Sequence, residues 1–186
     1  MSHRERSRRA ALGAVAALVA GGLCAIAQEP ARPTAEHATL ALSEGTWDAS
    51  VQISMGAPGT PPQVSKGVET NHMCCGGLWM ISEFKSDPGS APFEGYGMTG
   101  YEPSKKKYIT TWVDSDLTMP MISEGTYDAK TRTLTLRGSM TAQGKTLQWR
   151  NVEVWKDDDT RQYTMYQRGP DGKESPSLSI TYTRRK

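Results

Sequence analysis

The chain has 186 residues, 37% of them hydrophobic, with 22 basic against 20 acidic side chains. That supplies the core of one domain and not of two, and a mean hydropathy of -0.57 excludes a polytopic membrane protein. The 18 Gly and 11 Pro, with 5 Trp and 7 Tyr against 2 Phe, favour many short strands joined by turns over long helices.

Residues 1–27 open with Arg4, Arg6, Arg8 and Arg9, continue as an Ala/Val/Leu-rich run from Ala10, and end in Ala25-Ile26-Ala27. A basic start, a short apolar run and an A-x-A end describe a secretory signal peptide, so the mature chain is expected to begin at Gln28 in the periplasm or outside the cell. The run is too short and too rich in Ala and Gly for a spanning helix. Ser7-Arg8-Arg9 with Leu12 is a weak match to a twin-arginine signal. Cys24 follows Leu23, where lipid attachment wants a small residue, and is read as part of the leader. Removing the leader takes away four arginines and Glu5, which leaves 18 basic and 19 acidic side chains. No basic face then argues for nucleic acid or anionic lipid, and no stable membrane insertion is expected after cleavage.

Residues 28–42 carry Pro, Ala, Glu and Thr without periodicity and read as a flexible tether ahead of a domain over 43–186. From Gly45 the period becomes two. Trp47, Ala49, Val51, Ile53 and Met55 alternate with Asp48, Ser50, Gln52 and Ser54, which is a half-buried antiparallel strand. The Pro/Gly run over 57–62 stops it. Further strands are expected at about Val64–Met73, Leu78–Lys85, Phe93–Tyr101, Lys107–Asp114, Met119–Tyr127, Thr131–Met140, Lys145–Trp155, Arg161–Arg168 and Ser175–Arg184. Asp87-Pro88-Gly89, Glu102-Pro103-Ser104, Asp128-Ala129-Lys130, Gln143-Gly144, Asp157-Asp158-Asp159 and Pro170-Asp171-Gly172 supply the turns between them. No segment after the leader holds a helical pattern for long. About ten strands at hairpin spacing predict an all-β, single, antiparallel up-and-down barrel, closed because open edges aggregate.

Gly45-Thr46-Trp47 resembles the G-x-W signature of lipocalin-like (calycin) barrels, in which an arginine on the last strand crosses that tryptophan. Tyr182-Thr183-Arg184 stands where that arginine is wanted. The ordered set Gly100-Tyr101-Glu102, Thr111-Trp112-Val113-Asp114-Ser115, Gly125-Thr126-Tyr127-Asp128, Thr133-Leu134-Thr135-Leu136, Asp171-Gly172-Lys173-Glu174 and Tyr182-Thr183-Arg184 is similar to a bacterial family known only as a domain of unknown function. The resemblance implies a lipocalin-like barrel and hands over no catalytic residues. Antiparallel pairing of the first and last strands independently brings Arg184 to Trp47, a stacking worth on the order of 1 kcal/mol.

Candidate chemistry is thin. Cys74-Cys75 on a regular strand would point to opposite faces, and a vicinal disulfide would need the turn that Gly76-Gly77 can make. His72-Met73-Cys74-Cys75 offers soft ligands, but without a second cluster no metal site is predicted and small buried filler is the simpler reading. After His72 the chain has no histidine, which argues against a haem ligand or a Ser-His-Asp base in the second half. Asp114 and Asp116 share parity, and Glu83 shares a face with Trp79 and Ile81, so a carboxylate pair is one route to acid–base chemistry.

Five tryptophans in a barrel of this strand number either fill the core or line a cavity for a small apolar ligand, whose candidate lining is Trp79, Trp112, Asp114, Tyr127, Trp149 and Tyr166, with Trp47 and Arg184 closing the structure. Alternation alone does not say which parity faces inward. The expected function is therefore an exported small-molecule-binding barrel without cofactor. The alternatives are a carboxylate-based enzyme acting on a small molecule, and a cell-envelope interaction module that works through its loops.

Overall fold

The alternation that begins at Gly45 persists to the end of the chain and builds ten strands. In the computed structural model residues 30–54, 60–142, 144–169 and 171–186 are described. The signal peptide read at 1–27, Met55 on the first strand, much of the break after it, Gln143 and Pro170 lie outside the described residues.

The strands are β1 Gly45–Ile53, β2 Gln63–Cys74, β3 Trp79–Ser86, β4 Glu94–Glu102, β5 Lys107–Asp114, β6 Met121–Asp128, β7 Thr133–Ala142, β8 Lys145–Trp155, β9 Thr160–Arg168 and β10 Glu174–Arg184. Each pairs with its sequence neighbour and β10 returns to β1, so the sheet is a closed antiparallel barrel with no free edge. The closing pair sets Trp47 opposite Arg184, Ala49 opposite Tyr182 and Val51 opposite Ile180. Trp47, Ala49 and Val51 are buried while the residues between them face out. That fixes the inward parity of β1, and the strand registers carry it around the barrel. Strand β6 starts at Met121 rather than at Met119, because Pro120 has no N–H to give to the ladder.

Where a flexible tether was expected, residues Ala35–Ala41 form a short helix, α1. The Thr34 N–H donates to His37 Nδ1 at 2.9 Å, and His37 and Leu40 are buried. Leu40 joins Met80, Tyr108, Leu134, Leu136 and Trp155 in one core cluster. The Tyr108 hydroxyl donates to the Glu36 carbonyl at 3.0 Å. Seven residues give only two inward positions, too few to register as a helical period; what orders the segment is its fit against the barrel.

The turn after α1 continues the contact. The Ser43 carbonyl accepts from Trp47 Nε1 at 2.8 Å and from Asn71 Nδ2 at 2.9 Å. Together α1 and this turn lie at the end of the barrel where β1 and β3 start and β2 and β4 finish. A second core cluster comprises Trp47, Ala49, Val51, Phe84, Ile180 and Tyr182.

Candidate functional site

Inside the barrel near α1, the registers bring together three ionisable residues from three strands. Glu69 on β2, Glu153 on β8 and Arg161 on β9 all have inward parity. Arg161 forms ion pairs with both carboxylates, its side chain 4% exposed and those of Glu69 and Glu153 8% and 17%. The guanidinium carbon lies 4.6 Å from the Trp47 ring centroid on one side and 3.8 Å from the Tyr182 ring on another. Asn71 Nδ2 donates to Glu69 Oε1. Desolvation raises the Glu153 carboxyl above its ordinary range, Arg161 opposing and Glu69 reinforcing it. Burial likewise raises the Tyr163 and Tyr182 hydroxyls, so both stay protonated donors. This knot occupies the lumen beside Trp47 and Tyr182.

The other half of the lumen differs. Ile53, Trp112, Tyr163, Met165 and Leu178 share the inward parity, and Phe93, just before β4, packs edge-on against the inward Phe84, yet each is only half-buried. A side chain that points into a closed barrel has accessible surface only if the lumen beside it, or the barrel mouth next to it, is open. Two glycines make part of that room. A Cβ at Gly95 would lie 2.2 Å from Trp112 Cζ2, and one at Gly97 3.1 Å from Trp112 Cε3, so the indole lies flat on the wall where β4 carries no side chain. The Trp112 indole N–H donates to Asp114 Oδ2 at 2.9 Å and holds the ring there.

The other Asp114 oxygen accepts the backbone N–H groups of Asp116 and Leu117, each at 3.0 Å. Both oxygens are thus engaged in fixing the indole and the β5–β6 turn. Asp116 is exposed in that turn, and Glu83 faces outward in an ion pair with Lys85 at 2.5 Å. The carboxylate pair considered from the sequence does not assemble.

Of the expected lining residues, Trp112, Asp114, Tyr127 and Trp149 point inward. Tyr127 sits on the α1 side with its ring edge-on to Trp155, centroids 5.9 Å apart. Trp149 is 5% exposed and donates its indole N–H to Ser123 Oγ at 2.8 Å. Trp79 and Tyr166 are corrected to the outer face. Trp79 covers Gly100, where a Cβ would meet its ring at 2.5 Å. Tyr166 lies beneath the Arg150 guanidinium, 4.0 Å from its ring centroid. An aromatic side chain can bury itself against an outer glycine or under an arginine stem as well as in a core, so residue type did not reveal parity.

Arg184 stacks on Trp47 with its carbon 4.1 Å from the ring centroid. It also donates to the carbonyls of Leu42 at 3.0 Å, Glu44 at 2.5 Å and Asp158 at 2.9 Å, so it ties the end of β10 to the turn after α1. The residues not anticipated are Glu69, Glu153 and Arg161 in the knot, and Ile53, Phe93, Tyr163, Met165 and Leu178 in the lining. The polarity of β2 gave no signal for Glu69: its inward face carries Gln63, Ser65 and Asn71, while the outer face includes Val64 and Val68.

Two concavities lie apart from this half of the lumen. One of about 640 Å³ runs over the outer wall past Ile109 and Ile122 among Lys105, Glu124, Arg137 and Arg168; Arg137 there pairs with Glu174 at 3.3 Å. The other, about 340 Å³, separates α1 from Tyr101, Tyr108 and Tyr127. Among the described residues no group of three or more His, Cys, Asp or Glu side chains is placed to hold a metal ion.

Fold and lumen together define a closed ten-strand antiparallel barrel, occupied on one side by a buried arginine knot and lined on the other by half-exposed apolar side chains. The chain belongs to the family described as a protein of unknown function, DUF1579, whose model matches residues 32–184. Among solved structures it is similar to Rv2717c from M. tuberculosis, with a TM-score of 0.58 at 13% identity, covering 82% of this chain and 99% of that one. A redesigned β-barrel, mFAP0 bound to DFHBI, aligns with a TM-score of 0.42 at 13% identity over 77% of this chain and 99% of that one. At these identities the first likeness concerns the fold alone, and the second is weaker still. Comparison with curated proteins gives no match.

Proposed function

We propose that this protein is exported and binds one small apolar molecule in the half of the lumen away from α1. The observation that carries the reading is the set of apolar side chains, Ile53, Phe93, Trp112, Tyr163, Met165 and Leu178, that remain half-exposed inside a closed sheet. Covering such surface stabilises a complex by about 25 cal/mol per Å². Tyr163 gives this surface a hydroxyl donor and stands opposite Glu153 in register. The preferred ligand therefore has an apolar body and a hydrogen-bond acceptor at its inner end. Export rests on the leader-like composition of residues 1–27.

The test is titration with an environment-sensitive apolar dye, read by dye emission and by tryptophan quenching. Binding near one equivalent is expected, with an affinity loss of about tenfold or more when Leu178→Trp fills the lumen. Tyr166→Ala, on the outer face, is expected to bind as wild type. Equal affinity in the wild type and Leu178→Trp, with both folded by circular dichroism, removes the lumen as the site. Intact mass of the protein recovered from its host tests export, with a mature chain starting at Gln28 expected.

A further inference from the structure

We propose that Cys74 and Cys75 are a redox pair that closes to a vicinal disulfide by exchange with a small-molecule disulfide. Both are free thiols, Cys75 exposed and Cys74 half-buried, and their sulfurs lie 3.4 Å apart. Neighbouring side chains on a regular strand point to opposite faces. Here β2 ends at Cys74 and the chain turns. Cys75 has φ +52°, and Gly76 and Gly77 follow at +70° and +84°. A left-handed backbone is unfavourable for a residue with a Cβ, and its effect here is to bring the second sulfur round to the first. The Gly77 N–H closes the turn on the Cys74 carbonyl at 3.0 Å. A Cβ at Gly76 would meet nothing within 4 Å, while one at Gly77 would lie 3.2 Å from Pro33 Cγ, so the space for the turn to reshape is at Gly76.

The sulfurs have distinct roles. The Cys74 thiol donates to Cys75 Sγ, a contact that raises the Cys74 thiol above its ordinary range. Cys75, the exposed sulfur, is the attacking group. As a thiolate it attacks one sulfur of the disulfide R–S–S–R, forming Cys75–S–S–R and releasing RS⁻. Cys74 then loses its proton and attacks Cys75 Sγ, forming the Cys74–Cys75 bond and releasing the second RS⁻. The pair is oxidised by two electrons and the reagent is reduced to two thiols. Adjacent Cα atoms lie only ~3.8 Å apart, closer than the ~4.4–6.8 Å that disulfides prefer. A bond so constrained is readily reduced, which suits a reversible mark better than a permanent staple.

The experiment equilibrates the full chain in glutathione buffers from fully reduced to fully oxidised, quenches with an alkylating agent, and digests with trypsin. The peptide Gly67–Lys85 contains both cysteines and excludes Cys24. With increasing oxidation it is expected to become two hydrogen masses lighter and to resist alkylation, along a two-electron transition. Cys75→Ser is expected to leave Cys74 either alkylated or carrying glutathione, with no internal bond. The proposal is overturned if both thiols remain alkylatable in the most oxidising buffer. It is equally overturned if oxidation ends in glutathione adducts, or in links to Cys24 or to a second chain.

Discussion

Arg161 and Glu69, 92 residues apart in the chain, form an ion pair inside the barrel with less than a tenth of either side chain exposed. Pairing two charges out of water does little net good, but removing one member leaves the other buried without compensation. Arg161 serves two carboxylates and fills the space between Trp47 and Tyr182. Arg161→Ala is therefore expected to lose about 3–5 kcal/mol of stability in chemical denaturation. Adding Glu69→Gln to that variant is expected to restore part of it. A single substitution that leaves the denaturation midpoint unmoved contradicts the buried knot.

The same knot makes a pH prediction. Glu153 has its carboxyl raised above the ordinary value near 4.5, mainly by desolvation. Above that value the unfolded chain gives up this proton while the folded one keeps it. The folded state then binds more protons, and this residue's contribution to stability falls as pH rises through the window above 4.5. Glu153→Gln removes that loss. The stability of the variant relative to wild type is expected to rise from pH 4 to pH 7 in parallel denaturation series, whereas a relative stability that falls over this range means Glu153 is held ionised by Arg161.

Strand order, closure and the Trp47–Arg184 juxtaposition are legible in the chain because period-two alternation and turn residues are local signals, and closure follows once the first and last strands are known. The predicted bounds of β5 and β8 coincide with Lys107–Asp114 and Lys145–Trp155. Face assignment was less legible. Trp79 and Tyr166 look like core residues by type, but Gly100 and Arg150, on neighbouring strands, give each an outer seat. The α1 helix is invisible because its two inward residues gain meaning only against Tyr101 and Tyr108. Nothing local marks Glu69 and Arg161 as buried, because charged side chains usually face solvent, and only the register of a closed barrel places them face to face.

The contact of α1 with the barrel sets its own expectation. Leu40 is 5% exposed among Met80, Tyr108, Leu134, Leu136 and Trp155. Leu40→Ala is expected to cost about 2–5 kcal/mol. A truly loose tether at 28–42 would tolerate that change with no shift in thermal midpoint, so differential scanning calorimetry decides between the two.

The flat seat of Trp112 connects packing to ligand binding. Gly95→Ala introduces a Cβ 2.2 Å from the indole, so the ring has to leave the wall and enter the lumen. The variant is expected to fold with reduced stability, to shift its tryptophan emission, and to bind the apolar dye several-fold more weakly. Unchanged emission and affinity together would show that the indole does not lie on this wall.

Trp47 is wholly buried, with Arg161 4.6 Å and Arg184 4.1 Å from its ring centroid. Trp47→Ala is expected to cost about 3–5 kcal/mol, as for other buried aromatics. Arg184→Ala is expected to cost less, because its side chain is 27% exposed, yet it also frees the Leu42, Glu44 and Asp158 carbonyls. The double variant separates these contributions. The carbonyl contacts do not involve the indole and persist in the Trp47 variant, so only the stacking is lost from both sides of the cycle. A coupling of about 0.5–1 kcal/mol is expected. Strict additivity within the error of denaturant titration means that Arg184 holds the end of β10 through its carbonyl partners alone, and that stacking on Trp47 contributes nothing to closing the barrel.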